Sequence, residues 1–191
     1  MFQLIQKKIK LGLQFSLAVF FITAFSSIAK SQDYGKLEWD IVRIGVIFPA
    51  DKAEISSGVA FSTEARYNIS NNISAGLRLA FDAYGSGTGE NISDIGLSNS
   101  IYLVGDYYFS SDSNKRAFAG IGLGRNNGIT VKTSTGGISE ETKGDSYFGI
   151  TPRVGYELGL LRISGEYNFS LDDNVPNIFG IHLGFTIGGK R

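Results

Sequence analysis

The chain has 191 residues, enough for one domain, and no cysteine, which excludes a disulfide framework and a thiolate metal centre. Its 18 basic and 18 acidic residues give a formal charge of zero, and no basic patch or basic helix points to nucleic acid. Glycine (25) and aromatics (14 Phe, 9 Tyr) are plentiful and proline scarce (3), a mix that suits close strands joined by tight turns.

The first 31 residues read as an export signal. Met1 to Lys10 is basic, Leu11 to Phe25 is the apolar run LGLQFSLAVFFITAF, and the small residues of SSIAKSQ follow. The run falls short of the roughly 18 apolar residues of a membrane-spanning helix. Cleavage after Ala29 and cleavage after Ser31 both stay open. Lys7, Lys8, Lys10 and Lys30 leave with the signal and no acid precedes Asp33. Residues 32–191 therefore keep 14 basic against 18 acidic residues, a net of −4.

Beyond residue 35 no helical period is sustained, and apolar residues alternate with polar ones as in strands. Eight strands are expected: Lys36–Pro49, Gly58–Ser70, Ile73–Tyr84, Ser98–Phe109, Arg116–Asn126, Ser146–Leu158, Leu161–Leu171 and Asn177–Gly188. Each is about the 9–11 residues that cross a bilayer at a tilt, or slightly longer. The links alternate in length: PADKAEISS, then Asn71-Asn72, GSGTGENISDIGL, SSDSNK, the longest NGITVKTSTGGISEETKGD, Gly159-Leu160 and DDNVPN. Long and short links on opposite ends are the habit of an up-and-down barrel in an outer membrane.

Alternation fits both a soluble barrel with its apolar face inward and a membrane barrel with that face outward. Two patterns favour the second. In the seventh strand Leu161, Ile163, Tyr167 and Phe169 oppose Arg162, Ser164, Glu166 and Asn168, and mid-strand bases are Arg rather than Lys throughout. The polar faces carry Arg43, Arg66, Arg78, Arg153 and Arg162 beside Glu64, Asp82, Asp106, Glu157 and Glu166. A narrow, poorly solvated lumen favours the bidentate guanidinium and needs a balanced count, because an unpaired charge there is costly. On the apolar faces, aromatics such as Phe48, Phe61, Phe81, Phe148 and Phe179 fall near the long links. Tyr67, Tyr107, Phe109, Tyr156 and Phe185 fall near the short ones, with aliphatics between. Two aromatic girdles around an aliphatic band match the two interfaces and core of a bilayer. Lumen glycines such as Gly120, Gly122, Gly124, Gly180 and Gly184 make room for the Arg and Tyr side chains opposite. Two places fit less cleanly. Pro152 inside the sixth strand cannot donate to a ladder and suggests a bulge, and Trp39, Ile41 and Ile47 fall on the lumen phase of the first strand.

The signal segment, the eight alternating stretches, SAGLRLAFDAY, IYLVGDYYFS, TPRVGYELGLLRISGEYNF and the closing FGIHLGFTIGG resemble the small outer-membrane β-barrel family that includes OmpX-like and OmpA transmembrane-domain-like proteins. The resemblance implies an all-β, eight-stranded antiparallel up-and-down transmembrane barrel in the outer membrane. It also implies a monomer in contact with lipid, inserted by the barrel assembly machinery after periplasmic chaperoning. Many such barrels close on a terminal aromatic; here Phe185 stands six residues from the end. A wall-tethering domain of the OmpA type is not expected.

Chemistry is sparse. His182 is the single histidine and takes the lumen phase of the last strand, with Ser164 and Glu166 on the neighbouring strand. A hydrolase would need these types in contact, but a lumen packed with Arg and Glu offers an acyl chain no entry. With one His and no Cys, no metal site and no cofactor is expected. Asp172-Asp173 reads as a solvated turn, and GSGTGE lacks the Lys-Ser/Thr step and helix of a phosphate loop. Function is then expected in the loops of a non-enzymatic envelope-structural or surface-interaction protein, with a soluble ligand, a host surface, a phage or no partner all open. The alternatives are a narrow pore, a lipid-modifying outer-membrane enzyme and a soluble lipocalin-like carrier. Folded in detergent, the protein is expected to migrate differently on an SDS gel before and after boiling. No shift, with a chain that stays monodisperse without detergent, would turn the apolar faces inward and select the carrier.

Overall fold

The computed structural model describes residues 35–50, 55–86, 94–110, 115–134, 137–173 and 175–189. The signal segment, residues 32–34 and 190–191, and parts of the first, third, fourth, fifth and seventh links lie outside them. The described chain forms eight antiparallel strands: β1 (Leu37–Pro49), β2 (Ile55–Asn68), β3 (Ile73–Ser86), β4 (Asp94–Tyr108), β5 (Lys115–Ser134), β6 (Gly137–Leu158), β7 (Leu161–Ser170) and β8 (Ile178–Gly188). Neighbours in sequence pair with each other, and β1 pairs with β8 from Glu38↔Gly188 to Pro49↔Ile178, which closes the barrel.

The barrel is inside out. Arg43, Glu64 and Asp40 are fully buried, whereas Leu103 is 69% and Val154 62% exposed on the outside. A soluble barrel with this burial would place its whole apolar set in water, so the outer surface is built for hydrocarbon. Aromatics cluster by rung on that surface. Phe48, Phe179 and Tyr167 stand side by side on β1, β8 and β7, and Phe61 faces Phe81 across β2 and β3. At the short-turn end Tyr107 packs edge-on against Phe109, with ring centres 5.5 Å apart. Tight turns are backed by local chemistry: Gly159 takes φ 61°, a conformation that L side chains resist, and opens the two-residue β6–β7 link.

The irregularities fall elsewhere than expected. In β6 the pairing with β7 lapses at Thr151-Pro152, but the register is the same on both sides, Ile150↔Phe169 and Arg153↔Glu166. Pro152 forms no bulge; its nitrogen has no hydrogen to give β7, and it keeps its place opposite Ile121 of β5. Register shifts fall instead between Ile55 and Gly58 of β2, between Asn127 and Ile129 and between Lys132 and Thr133 of β5, and in β1, where both neighbours are affected. Pairing with β2 shifts between Asp40 and Arg43, and pairing with β8 shifts between Asp40 and Val42. Ile41 and Val42 both point outward as a result, and the alternation changes phase. Trp39 and Ile41 thereby leave the lumen phase for the lipid face, and Glu38 and Asp40 turn inward; only Ile47 stays inside. The Trp39 indole donates to the Thr63 hydroxyl at 2.7 Å, and that hydroxyl donates to the Asp40 carbonyl at 2.9 Å, so the bulge is braced from the lipid side.

The fifth link also differs. Most of it is strand rather than loop, since β5 and β6 stay paired as far as Ser134↔Gly137. β4 follows β5 to Asp94↔Lys132, and β3 follows β4 to Ser86↔Asp94. Pairing of β6 with β7 begins only at Gly149. The wall is therefore taller on the β3–β6 side and rises into a sheet whose β6 border has no further strand among the described residues.

Lumen glycines are set by close approach. A Cβ at Gly184 would lie 2.7 Å from Arg43 Cγ, and one at Gly124 would strike the Tyr102 ring. Gly124→Val is expected to abolish the heat-modifiable folded form, whereas Leu103→Val on the outer face shifts urea stability by less than about 1 kcal/mol.

Candidate functional site

Strand alternation delivers one class of side chain to the barrel interior, and every strand from β1 to β7 contributes a charge. Among the described residues six arginines and six carboxylates form one continuous chain of ion pairs. Its order is Arg78, Glu166, Arg43, Glu64, Arg153, Asp106, Arg162, Glu157, Arg116, Glu38, Arg66 and Asp40. Consecutive members alternate in sign, so each carboxylate inside the run touches two guanidiniums. The Arg66–Glu64 contact at 3.0 Å joins its far end back to its middle.

Arg153 is the hub. It grips Asp106 with two bonds of 2.8 and 2.9 Å, and Glu64 with two of 2.6 and 2.9 Å, spanning the lumen from β6 to β4 and β2. Arg66 takes Asp40 in the same bidentate way at 2.7 and 3.0 Å. Such planar two-point contacts require the guanidinium fork, which accounts for the lumen cations of this chain of ion pairs being Arg rather than Lys. Aromatic rings complete the cage. Arg116 stacks 3.6 Å from the centre of Tyr108 and Arg162 3.7 Å from that of Phe118, both rings being buried.

Nine of the ten residues read from the sequence as a lumen charge network stand in this chain: Arg43, Glu64, Arg66, Arg78, Asp106, Arg153, Glu157, Arg162 and Glu166. Asp82 does not join; it takes a 3.3 Å bond from Ser98 and makes no ion pair among the described residues. Three members escape the sequence reading. Glu38 and Asp40 are hidden by the β1 bulge. The signal for them is that acids fall on the apolar phase at the same point where Trp39 and Ile41 fall on the polar one, and a single inserted residue corrects both. Arg116 shares the phase of Gly120, Gly122 and Gly124, but it stands at the strand start, where a solvated position is the ordinary reading.

Toward the long-link end the packing opens into a cup of about 50 Å³, lined by Ser62, Asp82, Ser100, Asn126 and Ile178 over a floor of Arg78, Tyr102, Glu166 and His182. That is room for a few water molecules. Below the floor the members of the chain are at most 5% exposed, so the lumen is filled rather than channelled. The Tyr102 hydroxyl is held by Asn126 and Asn168 at 2.8 and 2.9 Å.

His182 sits in the lumen between two glycines, and a Cβ at Gly45 or at Gly180 would collide with its ring. Its Nε2 lies 3.9 Å from Glu166. Ser164 donates to Glu166 at 3.1 Å and accepts from Arg43 at 2.7 Å. The hydroxyl proton is thus directed to the carboxylate, and the Ser-to-His bond of a hydrolytic triad is not formed. Asp172 lies in a turn closed by Ser170, whose hydroxyl accepts from the Asp172 amide at 3.1 Å and donates to its carbonyl at 3.0 Å.

A closed eight-stranded barrel with an apolar outside and a salt-bridged inside has the fold of the small transmembrane barrels of outer membranes. No family model matches the sequence, and no curated protein matches it. Solved structures do. The barrel is similar to Neisserial surface protein A, NspA, at 15% identity and a TM-score of 0.56, covering 82% of this chain and 97% of that one. It is similar also to the outer membrane protein OprG from Pseudomonas aeruginosa, at 11% identity and a TM-score of 0.55, covering 83% and 98%. At such identities the likeness is one of fold.

Opening the network from one side should be far more damaging than removing its outlier. Glu64→Gln strands parts of three guanidiniums and is expected to cost about 3–5 kcal/mol in urea-titrated folding, whereas Asp82→Asn should stay within about 1 kcal/mol.

Proposed function

We propose that the protein is a non-enzymatic integral barrel of the outer membrane that acts at its surface, holding the tall β3–β6 sheet clear of the lipid as a docking edge. The observation that carries this is the one-sided height of the wall. β6 runs from Gly137 to its first pairing with β7 at Gly149 with β5 on one flank alone, among the described residues. At about 3.3 Å per residue this border is on the order of 40 Å long. A strand border with free N–H and C=O groups is a template for strand addition by an extended segment of another protein. The salt-bridged lumen supplies the rigidity such a platform needs, and its filling argues against solute passage. The Ser164 geometry argues against hydrolysis. The export signal read in residues 1–31, lipid contact, insertion by the barrel assembly machinery after periplasmic chaperoning, and a monomeric state belong to the same reading.

Purified barrels in planar bilayers are expected to show no steady conductance above the lipid baseline. Deleting residues 129–145 should leave the heat-modifiable gel shift intact and remove adhesion of barrel-bearing vesicles to protein-coated surfaces. Open-channel steps with a stable amplitude would move the reading to a narrow pore.

A further inference from the structure

The apolar outer face is broken at two adjacent rungs. Register places Asn99, Asn127 and Ser146 side by side on β4, β5 and β6, and Ile101, Arg125 and Phe148 in the next rung toward the short turns. All but the half-buried Asn127 are exposed. Among the described side chains of the strands, Arg125 and Lys115 are the charged ones on the outer face, and Lys115 stands at the far, short-turn mouth. Among the described residues Arg125 makes no ion pair. A cation on a lipid face is costly at mid-depth and tolerated at headgroup level, and the aromatic Phe148 beside it marks that level.

The hydrogen bonds of the upper rung have a direction. Ser146 donates to Asn127 Oδ1 at 2.8 Å, and Asn127 Nδ2 donates to Asn99 Oδ1 at 3.0 Å. Each amide oxygen has thus already accepted one bond, and the spare donors are the Asn99 amide, the second hydrogen of Asn127 and, one rung below, the guanidinium of Arg125. A cation flanked by spare donors and set above an aliphatic surface matches an anionic headgroup whose acyl chains lie down that surface.

We propose that these two rungs seat the phosphate ester of one lipid in the loop-side leaflet, with Arg125 giving the fork-like contact and Asn99 and Asn127 adding donors. Planar guanidinium suits phosphate oxygens, and the chains would lie along Ile121 and Leu123 below. The inference rests on the barrel being membrane-inserted and is independent of what the β6 border binds.

The test uses the folded full-length barrel in lauryl maltoside, a phosphate-free detergent, titrated with dihexanoyl phosphatidic acid and, separately, with inorganic phosphate. The readout is the side-chain and backbone N–H shifts of Asn99, Arg125 and Asn127. Saturable shifts are expected with the lipid at a concentration at least roughly tenfold lower than with inorganic phosphate, and weakened by a similar factor in Arg125→Gln. Arg125→Lys keeps the charge without the fork and should fall between. An unchanged gel shift before and after boiling verifies that each variant is folded. Equal response to free phosphate, equal response of folded Arg125→Gln, or no saturation would each overturn the proposal and leave Arg125 as a hydrated interfacial side chain.

Discussion

Inside hydrocarbon every backbone N–H and C=O must find a partner within the protein, and this constraint governs the rest of the molecule. An open sheet leaves two unpaired edges; joining β1 to β8 removes both. Closure then forces the side chains to divide, one set to lipid and the other to a lumen of eight strands that is narrow enough to be filled. The departures are local. Pro152 forfeits one donor without disturbing the register, and the β1 bulge is tied down by the Trp39–Thr63–Asp40 relay. Among the described residues, and apart from the lapse at Thr151-Pro152, the β6 border is left unpaired where the sheet stands beyond the ring of paired strands.

The ion-pair chain follows from the same closure. Buried charges gain little over an apolar filling once their desolvation is counted, yet removing one partner leaves the other exposed to the full penalty. The network is therefore better understood as a register lock than as a source of stability. A one-residue slip of any strand would turn its arginines and carboxylates toward lipid and its leucines and phenylalanines into the charged lumen. Twelve interlinked groups on seven strands make such slips mutually prohibitive. Asp82 shows the limit of the lock. It faces the cup, where water reaches, and the structure tolerates it with a hydroxyl for company.

A rigid interior frees the two surfaces to do different things. The tall β3–β6 side offers backbone at its border, and the outer face below it offers the Arg125 rung to lipid. The two lie on the same strands, so a headgroup held at Arg125 would also hold the base of the extended sheet. Neither surface requires chemistry from the lumen, where Ser164, Glu166 and His182 are committed to packing and charge balance.

Much of this was legible in the amino-acid order. Period-two alternation, the two aromatic levels, the sorted link lengths and Arg-only mid-strand bases together specify an eight-stranded transmembrane barrel and nine members of its network, because a bilayer and a closed lumen each impose a pattern on every second residue. What the order alone did not settle depends on relations between strands. The β1 bulge moves Glu38 and Asp40 inside, and it becomes visible only when β1 is laid against β2 and β8 together. Arg116 becomes a lumen residue because Glu38 and Glu157 reach it from other strands. Residues 129–145 look like a polar loop in one dimension, since strand pairing there rests on backbone hydrogen bonds that no hydrophobic period announces. Which carboxylate each arginine chooses is likewise a matter of distances across the lumen, as with Arg78, opposite Glu64 in register but bound to Glu166 on the far wall.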